Sequence, residues 1–276
     1  MGSGFEFSDQ ESKTSFPVEL VQNGVFFPVR INGSKPLRFT LDSGSGASYV
    51  DQKTAVGLGL KFSGTTTVRG AGEGTIPVKV IEDVSIELPG LVTRGHKIHA
   101  ADLGDVHWGG LLKGLLGYDF LERFVTIIDY PKAKMTIITP SAFKYDGPGV
   151  VLQLELQGRL PFVKGTIEVA GNVVEDLFLV DSGSQDAVDH PLISKSRNTR
   201  STHAGIGLGK STMGIFGTID RFQLGPFQMT GLQGVASEVG LGSRLIGGQV
   251  LSRYRVIINY SRKELILEKK RGSVSS

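Results

Sequence analysis

The feature that most constrains this chain is an internal repeat. Phe26-Phe27-Pro28-Val29-Arg30-Ile31-Asn32-Gly33, followed by Leu37-Arg38-Phe39-Thr40-Leu41-Asp42-Ser43-Gly44-Ser45, has a counterpart later on. That counterpart is Pro161-Phe162-Val163-Lys164-Gly165-Thr166-Ile167-Glu168-Val169-Ala170-Gly171, followed by Leu177-Phe178-Leu179-Val180-Asp181-Ser182-Gly183-Ser184. The two acids are 181 − 42 = 139 residues apart. A second block repeats as well: Leu115-Leu116-Gly117-Tyr118-Asp119-Phe120-Leu121 leads into Phe124 to Tyr130, and Leu245-Ile246-Gly247-Gly248-Gln249-Val250-Leu251 leads into Tyr254 to Tyr260. Here the offset is 247 − 117 = 130, so order is kept while spacing shrinks by nine residues, as duplication followed by loop trimming would leave. Repeats this few and this long predict two pseudosymmetric lobes rather than a solenoid.

Each half reads as strands. Val25 to Ile31, Leu37 to Leu41, Ile76 to Leu88 and Thr126 to Ile138, with their partners in the second half, are rich in β-branched and aromatic residues. The 38 glycines imply many tight turns. Short helical turns are expected at Asp51 to Leu58, Asp119 to Phe124 and Gln249 to Tyr254. The turn-forming cluster Asp146-Gly147-Pro148-Gly149 marks the boundary. The expected organisation is a disordered or tag-derived tail over 1–15, an N-terminal lobe over 16–147, a C-terminal lobe over 148–270 and a tail over 271–276.

At 276 residues, 39% hydrophobic and 21% charged, the composition is globular and excludes wholesale disorder. A net charge of +3 without a basic stripe interleaved with aromatics gives no nucleic-acid partner. The absence of cysteine removes disulfides, thiol catalysis and cysteine metal sites, but leaves both redox compartments open. No apolar run approaches the roughly 18 residues of a membrane helix. Met1-Gly2-Ser3-Gly4 resembles an appended tag. Localisation is therefore open, with a secreted or periplasmic setting expected if a leader was removed.

An apolar strand ending in an acid, then a small hydroxyl residue, then glycine, once per lobe, presents one carboxylate from each lobe at a pseudo-twofold axis. Like charges that close cannot both ionise, so the pair holds one proton and serves as base and acid together; the aspartic-protease dyad is the standard instance of this effect. One ionised Asp takes a proton from water while its protonated partner donates to a carbonyl oxygen, with no metal or cofactor. Gly44 and Gly183 are expected to turn the chain tightly and bring N–H groups to the carboxylates, and Ser43 and Ser182 to brace the loops. A lone Asp-Ser-Gly is an ordinary turn; two copies at equivalent strand ends are not.

With hydrophobic-hydrophobic-Asp-Ser-Gly paired downstream with hydrophobic-hydrophobic-Gly, twice, the chain resembles the pepsin and retroviral-type aspartic peptidases. The segment Thr54-Ala55-Val56-Gly57-Leu58-Gly59-Leu60 is also similar to retroviral-type domains. The resemblance implies an all-β, bilobal pepsin-like acid-protease fold of two pseudosymmetric β-barrel lobes with short helices. It implies catalytic Asp42 and Asp181, structural Gly117 and Gly247, and an extended polypeptide substrate held by flap hairpins. The flap candidates are Gly70, Ala71, Gly72 and Glu73 in one half and Gly205, Ile206, Gly207 and Leu208 in the other, closer to a fused retroviral-type pair than to a one-flap pepsin. Since one chain supplies both acids, a monomer is expected to suffice. The usual Thr is Ser in both loops. A catalytically silent peptide-binding or inhibitor module on the same fold is the alternative.

Several other motifs compete with this reading. Ala204 to Ser211 fits a relaxed phosphate-loop pattern, but its flanks lack the preceding apolar strand and following helix that a phosphate loop needs. His96, His99 and His107 read as surface histidines rather than metal ligands. Trp108 reads as a core plug. Asp51, Asp119, Asp186 and Asp189 lack repeated strand-terminal placement and read as surface or capping groups.

Overall fold

The computed structural model describes residues 4–8, 11–70, 74–103, 111–204, 212–237 and 244–269. Strands dominate, and the helices are short: Gln52–Gly57, Tyr118–Leu121 and Gly248–Leu251. Alternation sets the faces. In the Gly24–Ile31 strand, Val25, Phe27, Val29 and Ile31 turn into the core, whereas Pro28 and Arg30 face outward. Phe26, on the outer face, is covered by the Arg38 guanidinium 4.2 Å from its ring centre.

The first half is a sheet running Phe5–Phe7, Leu91–Ala101, Tyr49–Asp51, Gly114–Leu116, Leu37–Leu41, Gly24–Ile31, Ile76–Leu88 and Gly64–Val68. Ile76–Leu88 also pairs with Leu91–Ala101, which closes the sheet into a barrel. The second half repeats the central part: Leu232–Ser237, Val188–Asp189, Leu245–Ile246, Asn172–Val180 and Leu160–Val169 follow one another in the same order and with the same directions. In both halves the strand bearing the acid has a parallel neighbour on its far side, Gly114–Leu116 or Leu245–Ile246.

A six-stranded antiparallel sheet joins the halves, in the order Lys13–Pro17, Lys134–Ile138, Val125–Asp129, Tyr254–Asn259, Glu264–Lys269, Val150–Gln157. At its centre Ile127 lies opposite Ile257, and 257 − 127 = 130 is the offset of the second repeat. Each is the other's counterpart, so the pseudo-twofold axis passes between them. Val125, Ile127, Ile257 and Ile266 cluster with Phe143 on one face.

Two expectations change. Thr126 to Ile138 is not one strand. Tyr130–Lys132 forms a short 3-10 turn in which Pro131 offers no N–H to a ladder and Ala133 adopts φ 46°, so the chain reverses and pairs with itself. The second half does the same at Lys263, φ 55°. Residues 1–15 are also not simply a disordered tail, because Phe5–Phe7 adds to the first barrel and Lys13–Pro17 edges the joining sheet. Phe5 and Phe7 pack edge-on against Phe124.

Candidate active site

The acids emerge where the parallel neighbours end. Leu41 pairs with Leu116 and Val180 with Ile246; immediately beyond, Asp42 N–H donates to the Leu116 carbonyl and Asp181 N–H to the Ile246 carbonyl, each at 3.0 Å. Equivalent backbone therefore fixes both acids, and the two loops meet at the junction between the halves. A Cβ on Gly44 would lie 2.5 Å from the Asp181 carboxyl carbon, and one on Gly183 would lie 2.6 Å from that of Asp42. Neither glycine has a positive φ. Glycine is required here by the approach of the opposing carboxylate rather than by the tight turn expected from sequence.

Ser43 and Ser182 exchange hydrogen bonds across the junction. Ser43 N–H donates to Ser182 Oγ at 3.1 Å and Ser182 N–H to Ser43 Oγ at 3.0 Å. The Ser43 hydroxyl donates to the Val180 carbonyl at 2.6 Å, the Ser182 hydroxyl to the Leu41 carbonyl at 2.9 Å. Both serines are fully buried, so these bonds are shielded from water.

Both carboxylates are hemmed in by protein yet half-buried, so solvent reaches them. Burial raises Asp42 well above the usual carboxylate range; the neighbouring Asp181 charge and the hydrogen bond between the two carboxyls push it further, against a weaker pull from the Gly44 and Ser45 amides. Burial raises Asp181 too, but the Gly183 and Ser184 amides donate to its Oδ1 at 2.8 and 3.1 Å, and the hydrogen bond from Asp42 adds to them. Burial thus favours a single proton held between the two acids, each of which accepts from the amides two and three residues on.

Behind each loop the repeated glycine is compressed. A Cβ on Gly117 would lie 2.8 Å from the Ser45 carbonyl oxygen, and one on Gly247 would lie 2.5 Å from that of Asp186. Gly117 N–H donates to Ser48 Oγ at 3.0 Å, and Ser48 in turn donates to Asp119 Oδ1 at 2.8 Å. No sequence signal marks this role of Asp119, because it has no equivalent in the second repeat, where Gln249 stands. Nor does any mark Tyr260, which reaches from the joining sheet to within 3.5 Å of the Ser43 carbonyl and packs edge-on against Tyr118. Burial, then the negative charge carried by the two acids, keeps its hydroxyl protonated.

Other placements differ from expectation. His96 is buried, not on the surface: Leu91 and Thr93 point inward until Gly95, at φ 68°, flips the alternation so that His96, Ile98 and Ala100 point inward. Thr93 Oγ1 lies 2.6 Å from His96 Nε2. Asp189 is also buried and accepts from Ser237 N–H and its hydroxyl; burial raises it to about 7. Asp51 does cap a helix, accepting from Thr54 N–H at 2.9 Å, and Asp186 is exposed.

Val68 pairs with Ile76 and Ala204 with Thr212, so each glycine-rich flap candidate links two antiparallel strands. Gly70 begins the first. Ala71, Gly72, Glu73, Gly205, Ile206, Gly207 and Leu208 lie outside the described residues, as do His107 and Trp108. A strand rather than a helix follows Ser211, which removes the phosphate-loop reading. Among the described residues no group of three His, Cys, Asp or Glu side chains is placed to hold a metal ion, and no helix is long and apolar enough to cross a membrane.

Comparison with curated proteins gives no match. The family that the chain resembles by sequence, fold and paired loops is that of the aspartic peptidases: residues 27–120, from the first repeated strand through Asp42 to the helix after Gly117, match the family model described as Aspartyl protease.

Proposed function

We propose that the chain is an aspartic endopeptidase that hydrolyses peptide bonds within extended polypeptides, using water activated between Asp42 and Asp181 of a single monomer. The observation that carries this reading is that two carboxylates from equivalent strand ends meet at the junction, each against the other half's glycine. The pair, holding one proton, divides the roles. The ionised Asp takes a proton from the water while the water oxygen attacks the scissile carbonyl carbon, and its protonated partner gives its proton to the carbonyl oxygen. In the second step that partner takes the proton back, the C–N bond breaks, and the proton taken from water passes to the leaving amine. The hairpins closing at Val68/Ile76 and Ala204/Thr212 hold the substrate main chain in extended form by hydrogen bonds.

Purified protein incubated with a diverse peptide library from pH 3 to 8 tests the reading. Wild type is expected to cut, a statine-type inhibitor to bind it, and Asp42→Asn and Asp181→Asn each to lose about 10²- to 10⁴-fold in rate. Full activity in either variant removes the shared-site mechanism. A wild type that leaves every peptide whole at every pH is instead a silent binding module.

A further inference from the structure

The halves also touch through the hairpin that precedes each acid-bearing strand, and there the symmetry fails. Phe26 pairs with Thr40, two residues before Asp42, and Phe162 pairs with Leu179, two residues before Asp181. Phe26 and Phe162 are therefore equivalent, and so are Asn23 and Arg159, three residues ahead of each. Asn23 crosses to the second half. It lies against Gly248, where a Cβ would come 2.8 Å from Asn23 Cβ, and its Oδ1 accepts from the Ser252 hydroxyl at 3.1 Å. Arg159 crosses to the first half. Its Nη1 donates to the Gly46 carbonyl at 3.2 Å, and its guanidinium stands 5.7 Å from the ring centre of Tyr118, the counterpart of Gly248.

The consequence is a charge at only one of these two equivalent positions. Gly46 lies four residues after Asp42 and two after Gly44, which touches Asp181. Arg159 is exposed, and among the described residues it donates to the Gly46 carbonyl and faces the Tyr118 ring. One of its five N–H donors is committed to Gly46, which leaves the rest of a planar fork suited to a carboxylate. The Gly46 carbonyl and the Tyr118 ring already hold the guanidinium in place, so little freedom is lost when a partner binds. On the opposite side the equivalent position carries a neutral amide, already bonded within the protein.

The geometry points to Arg159 as a specificity-determining residue that selects an Asp or Glu side chain on one flank of the scissile bond, and so sets the direction in which a polypeptide lies across a site built from two equivalent acids. This rests on the peptidase reading above. Main-chain hydrogen bonds alone do not distinguish the two directions in a pseudosymmetric cleft, whereas a cation at one of two equivalent positions does.

The test is a random-sequence peptide library digested by the full chain as wild type, Arg159→Gln and Arg159→Glu, with the cut sites read by mass spectrometry. Wild type is expected to favour an acidic residue about fivefold at a position on one side of the cut, the scale of a partly exposed charge pair, and to lose that preference at high salt. Arg159→Gln is expected to flatten the preference and Arg159→Glu to replace it with Lys or Arg at the same position, a reversal that a merely structural role does not produce. An acidic preference that is absent from the wild type, equal on both sides of the cut, or unchanged in Arg159→Gln overturns the assignment of Arg159 and leaves the dyad standing. Failure of all three proteins to cut any peptide overturns the peptidase reading and this inference together.

Discussion

Ser43 and Ser182 are reciprocal partners: each hydroxyl accepts the other's N–H and donates to the carbonyl immediately ahead of the other's aspartate. Replacing one hydroxyl strands a buried N–H and a buried carbonyl in the opposite half. Ser43→Ala is expected to cost about 2–4 kcal/mol in chemical denaturation. Ser43→Thr, which keeps the hydroxyl, is expected to cost less. Because the two hydroxyls belong to one buried network across the junction, Ser43→Ala/Ser182→Ala is expected to differ from the sum of the single changes by about 0.5–3 kcal/mol. Strict additivity would show that the network is not a unit.

Gly183→Ala places a methyl 2.6 Å from the Asp42 carboxyl carbon, against a side chain that is held rather than free to swing. The expected result is a loss of about 10²-fold or more in peptide cleavage with about 1–3 kcal/mol of destabilisation. Gly171→Ala is a useful contrast: it meets nothing within 4 Å but sits at φ 78°, so its effect is expected on stability and not on turnover.

Asp42 titrates above the ordinary carboxylate range in the folded protein because of burial and the adjacent Asp181. The folded state therefore binds more protons than the unfolded chain once pH exceeds that range, and stability falls as pH rises. Asp42→Asn removes this penalty. The variant is expected to melt higher than wild type at pH 7, by about 2–4 °C for each 1 kcal/mol relieved, with the difference vanishing near pH 3. Thermal melts across pH measure it, and a lower melting temperature at pH 7 would contradict the sign.

His96 behaves oppositely. Burial, with a contribution from Arg123, depresses it from 6.5 to about 3. Its stability contribution is complete above pH 6.5 and is lost as pH falls toward 3, at up to about 1.4 kcal/mol per pH unit. His96→Leu combined with Thr93→Val, which removes the hydroxyl paired with the ring, is expected to flatten this acid limb in urea titrations at pH 4 and 7. An unchanged acid limb would place the titration elsewhere.

The repeat made the main outline legible from sequence. Asp42 and Asp181 stood out because each ends an apolar strand at the same place in a duplicated block, and the Leu37–Leu41 and Ile76–Leu88 strands have the bounds their residues imply. What escaped depends on geometry that has no local signature. Pro131 turned an expected long strand into a hairpin, and Gly95 reversed which side chains of its strand face inward, burying His96. The glycines of the two Asp-Ser-Gly loops read as turn residues, although the opposing carboxylate is what excludes a side chain. Arg159 lies in a polar hairpin tip indistinguishable from many others until the other half is placed beneath it.

The pairing of Ile127 with Ile257 carries a last consequence. A ladder whose central residues are each other's counterparts is one that a half-length chain makes equally well with a second copy of itself. Covalent linkage turns that encounter into an intramolecular one, so assembly no longer depends on protein concentration. It also lifts the obligation of two identical copies to carry every substitution twice. The tethered halves differ at Asn23 and Arg159, where two identical copies would carry the same residue on both sides.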